Sequence, residues 1–134
     1  MKIVPDTSAI IHGILLKEVE KGKKSLEVII PIAALDELQA QASKGREVGF
    51  IGLEQLKEVR KFCEKKKIKI RFDGERPSLE DIKLAHSGRI DAMIREVAKK
   101  NNAYLYTCDY VQALVAEAEG VKVKYFEIPV KTSG

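Results

Sequence analysis

Short runs rich in β-branched residues recur along this chain, separated by longer stretches of helical period, and this alternation constrains the fold more than any other feature. Candidate strands cover residues 2–4, 27–30, 68–72, 104–106 and 122–126. Between them, Ile10, Ile14, Leu15 and Val19 share one face of a helix predicted over residues 9–21, and Ala34, Leu35, Leu38 and Ala42 share one over 33–43. Residues 47–66 keep the period through Leu53, Leu56, Val59 and Phe62, while Gly49 and Gly52 weaken the first turns and mark a break or bend. Residues 89–100 and 111–119 give two further helices flanking the fourth strand, the second ended by Gly120. Gly74 and Pro77 make residues 73–78 a loop. The expected fold class is α/β, a parallel sheet with helices on both faces.

At 134 residues the chain is long enough for one core and too short for two. One domain is expected over residues 1–128, with residues 129–134 a linker stub that packs against nothing. A formal net charge of +4 and a pI of about 9.0 favour a polyanionic partner. Lys23, Lys24, Lys65 and Lys67 are the candidate phosphate contacts, against the alternative that such lysines only solvate helix ends. Cys63 and Cys108 are too few for a disulfide framework and imply a reducing compartment. Together with His12 and His86 they lack the close spacing of a zinc site. Met1 leads straight into a strand pattern and no apolar run approaches the ~20 residues of a membrane span, so a cytoplasmic protein without a membrane partner is expected.

The first strand ends in Val4-Pro5-Asp6-Thr7-Ser8, which places a carboxylate at the edge where parallel α/β sheets bind ligands. The fourth ends in the same way, in Tyr106-Thr107-Cys108-Asp109. Either acid serves equally as the N-cap of the next helix. Two such groups side by side repel unless separated, capped or bridged by a cation, and adjacency of the two strands is not legible in the residues. Asp91 falls early in a helix, where the helix dipole favours an acid, at the border of the apolar face beside Ile90. Asp36 and Glu37 occupy a comparable border beside Leu38, and the pattern does not choose between them. No Gly-x-Gly-x-x-Gly follows a strand, which speaks against a dinucleotide site.

Taken together, Asp6-Thr7-Ser8, Glu37-Leu38, Asp91 before an apolar helix and Thr107-x-Asp109 resemble the PIN domain pattern over nearly the whole chain. More narrowly, Pro5-Asp6-Thr7-Ser8-Ala9-Ile10-Ile11, Gly88-Arg89-Ile90-Asp91-Ala92 and Thr107-Cys108-Asp109-Tyr110-Val111-Gln112-Ala113 resemble the N-terminal PIN domain of archaeal proteins that continue into KH and AAA-type ATPase modules. His12 stands where that resemblance leads one to expect an acid, so no metal role is expected there. The resemblance implies a five-stranded parallel sheet of order 3-2-1-4-5, with the first and fourth strands adjacent. It also selects Glu37 over Asp36. It implies a metal-dependent endoribonuclease in which Asp6, Glu37, Asp91 and Asp109 are catalytic and hold one or two Mg²⁺ or Mn²⁺ ions. Such hard cations suit carboxylate oxygens and leave positions for water and a phosphate. Beside that set, Thr7, Ser8 and Thr107 are candidates to orient the ligands, which is compatible with helix capping, and Arg89 is a candidate phosphate contact against the alternative of a solvated arginine. The implied partners are single-stranded RNA, KH and ATPase modules in a longer chain, and a second copy in a homo-oligomer. The alternative function is a non-catalytic RNA-binding or assembly module of a larger ATPase.

Overall fold

The computed structural model describes residues 1–22 and 25–128. Lys23, Lys24 and the tail 129–134 lie outside the described residues. The strands are β1 (Lys2–Pro5), β2 (Glu27–Pro31), β3 (Lys69–Asp73), β4 (Tyr104–Thr107) and β5 (Lys122–Tyr125). All pair in parallel in the order β3-β2-β1-β4-β5. Strands β1, β2 and β4 are the centre. Successive residues such as Val28, Ile29 and Ile30 are all fully buried there, and since neighbours along a strand point to opposite faces, both faces are covered. The edge strands β3 and β5 carry mostly exposed or half-buried side chains.

The helices are α1 (Thr7–Ile11), α2 (Ile14–Glu20), α3 (Ile32–Ser43), α4 (Glu47–Lys66), α5 (Leu79–Lys83), α6 (Arg89–Lys100) and α7 (Tyr110–Ala118), with a 3₁₀ turn at Ala85–Ser87. The single helix expected over 9–21 is two. Gly13 adopts φ 76°, a left-handed conformation open to glycine at little cost, and breaks the helix between α1 and α2. Conversely, α4 runs unbroken through Gly49 and Gly52. A Cβ at position 49 would overlap Ala42 N and approach Leu38 O to 2.7 Å, and one at 52 would strike the Leu38 side chain, so these glycines let α3 and α4 pack closely. Helix α5 and the turn after it, within a stretch given no element above, start at a capping box in which Ser78 and Asp81 each accept the other's backbone N–H.

Registration of β1 against β4 sets Pro5 opposite Tyr106, and Asp6 N–H donates to Tyr106 O at 3.0 Å. The chain therefore leaves both strands at one point on the carboxyl edge, carrying Asp6 from one side and Thr107 to Asp109 from the other. Helix α3 packs against α1, α4 and α6, bringing the helix of Glu37 to that of Asp91. Lys65 and Lys67 sit at the end of α4, just before β3 begins, and so lie at the amino edge of the sheet, opposite to Asp6.

Candidate active site

Asp6 is the centre of the edge. It N-caps α1, its Oδ1 accepting from Ala9 N–H at 2.9 Å and from the Ser8 hydroxyl at 2.6 Å, while Oδ2 accepts from the Thr107 hydroxyl. These hydroxyls in turn accept from the opposite strand end: Cys108 N–H donates to Ser8 Oγ and Asp109 N–H to Thr107 Oγ1, both at 2.9 Å. One small network thus ties the ends of β1 and β4 together. Thr107 is fully buried and Asp6 is 2% exposed. Stripping a carboxylate of water costs several kcal/mol. Three hydrogen bonds to the charged form, roughly 1.5–3 kcal/mol each, work against that cost. Burial outweighs them and raises the Asp6 pKa, with the nearby Asp109 charge adding to the rise. A carboxylate offers about four lone-pair positions, so three donors leave Asp6 with capacity for a further partner.

Glu37, on α3, is pushed up to about 7, first by burial and then by the charges of Asp91 and Asp6. Asp91, in the first turn of α6, rises to about 6 through burial and the charges of Asp6 and Asp109, partly offset by Arg95. Asp109 is exposed and N-caps α7, accepting from Val111 N–H at 2.9 Å and Gln112 N–H at 3.3 Å. Capping and membership in an acidic cluster thus coexist at both strand ends. Asp36, the acid adjacent to Glu37, turns elsewhere and binds Arg76 Nε at 2.9 Å.

The four acids reach one edge from β1, α3, α6 and α7, and among the described residues none forms an ion pair within 4 Å. The donor set is hard oxygen, which fits Mg²⁺ or Mn²⁺. Yet among the described residues no three His, Cys, Asp or Glu side chains already close around one point at ligand distance. The mutual rise of the acids' pKa values and this spacing are compatible, because like charges without a cation between them stand apart.

Thr7 is half-buried on α1, and the hydroxyls that bond the Asp6 carboxylate are those of Ser8 and Thr107. Arg89, two residues before Asp91, is exposed and faces Asp81 at 3.5 Å instead of the acidic edge. His12 is exposed at the end of α1. One residue escaped the sequence reading. Gln112 is 1% exposed, donates through Nε2 to Asp91 O at 3.1 Å, and accepts from Arg95 Nη1 at 2.8 Å. It pins α7 to α6 and so Asp109 to Asp91. The available signal was a polar residue on the same stripe as the buried Ala116.

A sequence profile described as PIN domain matches residues 3–127. A Methanocaldococcus jannaschii protein described as containing KH and PIN domains is 42% identical over 127 residues, covering 94% of this chain and 20% of its own length. The chain thus spans about a fifth of that curated relative. A solved domain of a protein of unknown function from the same archaeon superposes with a TM-score of 0.89 at 40% identity, covering 99% of this chain and 96% of that one. The PIN domain of human SMG5 superposes with a TM-score of 0.56 at 20% identity, covering 93% of this chain and 92% of that one, a likeness of fold.

Proposed function

The chain belongs to the PIN domain family, and from that premise we propose that it is a metal-dependent endoribonuclease cutting single-stranded RNA at the carboxylate edge. Asp6, Asp91 and Asp109 hold Mg²⁺ or Mn²⁺, with Glu37 as a fourth ligand or as the group that orients water. The observation carrying this reading is the convergence of four acids from four elements onto one edge, where among the described residues no Lys or Arg lies within 4 Å of any of their carboxylates. When bound, the cation supplies charge to a phosphate oxygen and acidity to water.

The chain's own groups do the rest. Ser8 and Thr107 fix both Asp6 oxygens by donating to them, so the central carboxylate cannot swing away. Glu37, beside Asp6 and Asp91, would orient the attacking water or take its proton. The water oxygen bonds to phosphorus as the bond to the ribose oxygen breaks, and the leaving oxygen takes a proton from solvent. The archaeal relative that also contains a KH domain supports a nucleic-acid substrate and further modules in a longer chain, because KH domains clamp short stretches of nucleotide backbone.

Cleavage of an end-labelled oligoribonucleotide should require Mn²⁺ or Mg²⁺ and stop in EDTA. In parallel, Mn²⁺ should raise the melting temperature of the wild type by mass action, equivalent to about 2.7 kcal/mol at a hundredfold excess over Kd. Asp109→Asn keeps the cap geometry and should gain markedly less. No cleavage with either metal, with equal thermal gains for both proteins, sinks the reading in favour of a non-catalytic assembly module.

A further inference from the structure

Next to the acidic edge, a cavity of about 130 Å³ is walled by Glu37, Gln41, Lys44, Arg46, Lys83 and His86. Glu37 and Gln41 on α3 and Lys44 at its C-cap are spaced i, i+4, i+7 and form one stripe, so Lys44 stands ~10 Å along the helix axis from Glu37. Arg46 crosses from the start of α4, while Lys83 and His86 come from the end of α5 and the turn after it. Every other arginine has a carboxylate partner: Arg60 with Glu64, Arg71 with Glu27, Arg76 with Asp36, Arg89 with Asp81 and Arg95 with Glu119. Among the described residues Arg46, Lys44 and Lys83 have none within 4 Å, and all three are exposed. One turn along α4 from Arg46, Phe50 leaves 54% of its surface in solvent.

Unpaired cations around a cavity, with an exposed aromatic ring one helical turn from one of them, suit a ligand that carries both anionic groups and flat π faces. Single-stranded nucleic acid carries both, whereas inorganic phosphate or an acidic peptide supplies only the first. Resting on the ribonuclease reading above, we propose that this cavity is the subsite for the RNA strand flanking the cut. A phosphate is held by Lys44, Arg46, Lys83 and His86, and a neighbouring base stacks on Phe50. At about 30 Å³ per water the cavity holds roughly four waters, space that one phosphate group takes over while its base stays outside. The strand then runs from Lys44 along the stripe to Glu37 and the acidic edge.

Binding of a fluorescent single-stranded oligoribonucleotide in EDTA, measured by anisotropy across a salt series, tests this without turnover. Lys44→Ala combined with Arg46→Ala should weaken binding at low salt at least fivefold and flatten the slope of log K against log salt by about 1.4, near 0.7 per cation lost on a single strand. Phe50→Ala should also weaken binding at least fivefold yet leave the slope unchanged, because stacking releases no counterions. Lys65→Ala combined with Lys67→Ala, at the opposite edge, should change affinity by less than twofold. An affinity loss in the Lys65 and Lys67 variant as large as in the Lys44 and Arg46 variant overturns the subsite, and so does absence of RNA binding by the wild type. Selective binding loss with no metal-dependent cleavage by the wild type would keep the subsite and discard the nuclease reading.

Discussion

Asp6 and Asp73 leave parallel strands at the same edge of one sheet, two strands apart, and their environments are opposite. Asp73 ends the edge strand β3, where Asn101 Nδ2 and Gly74 N–H donate to it at 2.8 Å and Lys100 Nζ at 3.1 Å. The Asn101 hydrogen bond first, then that of Gly74, with help from Lys100, holds its carboxyl far below the usual carboxylate range. Asp6 ends the central strand β1, meets only neutral donors, and is raised by burial. A carboxylate at a strand end is thus a weak signal by position alone. On the exposed edge strand, cations and water reach the acid and make it structural. At the centre, neighbouring strands and helices exclude both and crowd further acids around it, so the charge is left for a ligand to neutralise.

The largest expected break between the two is in turnover. Asp6→Asn should lower Mn²⁺-dependent RNA cleavage by about 10²–10⁴-fold, the equivalent of losing several kcal/mol of transition-state charge stabilisation. Asp73→Asn should stay within about threefold of wild type. Cleavage rates of both variants under saturating metal provide the comparison, and similar losses in the two would erase the distinction.

Much of this layout was legible in the residues. The β-branched runs located all five strands to within a residue or two at each end, because the central ones are buried on both faces and tolerate little else. Strand order was not in the pattern and came from the family resemblance, as did the choice of Glu37 over Asp36. Residues 36 and 37 sit side by side on α3, and only the partners, Arg76 for one and the acidic edge for the other, tell them apart. Glycine was misread in both directions. Gly13 breaks a helix that the apolar spacing carries across, whereas Gly49 and Gly52 admit a neighbouring helix whose position a one-dimensional pattern does not contain. Helix α5 was readable from Ser78 and Asp81 but is too short and exposed to show an apolar period. Lys65 and Lys67 were candidates by charge alone, which says nothing about the edge on which a helix ends.

A smaller effect, in pH dependence, separates the acids around Asp6 from Asp73. In Glu37 and Asp91 the folded pKa values, about 7 and about 6, lie above the ordinary carboxylate values of 4.5 and 3.8. The stability they contribute is complete below those lower values and is lost as pH rises through the higher ones. In EDTA the protein should therefore lose stability between pH 5 and pH 8, on the order of 2 kcal/mol once the half-buried position of Asp91 is discounted. Mn²⁺ should flatten this decline, because the cation takes the place of the protons. Chemical denaturation at several pH values, with and without metal, measures it. Stability in EDTA that rises from pH 5 to pH 8 would show that burial and neighbouring charge do not raise the pKa values of Glu37 and Asp91.

The smallest effect belongs to Asp73, and its sign is reversed. Its folded pKa lies below the ordinary value of 3.8, so its contribution is present above that pH and disappears as pH falls through the folded value. Asp73→Asn should cost about 1 kcal/mol at pH 7, the charged share of its bonds to Lys100 and Asn101 reduced by solvent screening at an accessible edge. The gap to wild type should shrink by pH 3 and narrow at high salt, where a partly exposed ion pair is screened. Mn²⁺ should leave it unchanged, since Asp73 belongs to a protein-cation network and not to the acidic edge. Denaturation midpoints of wild type and Asp73→Asn at pH 3 and pH 7, each with EDTA and with Mn²⁺, separate these cases. A gap at pH 7 that closes when Mn²⁺ is added would place Asp73 within reach of the metal, and the contrast between the two strand ends would fail.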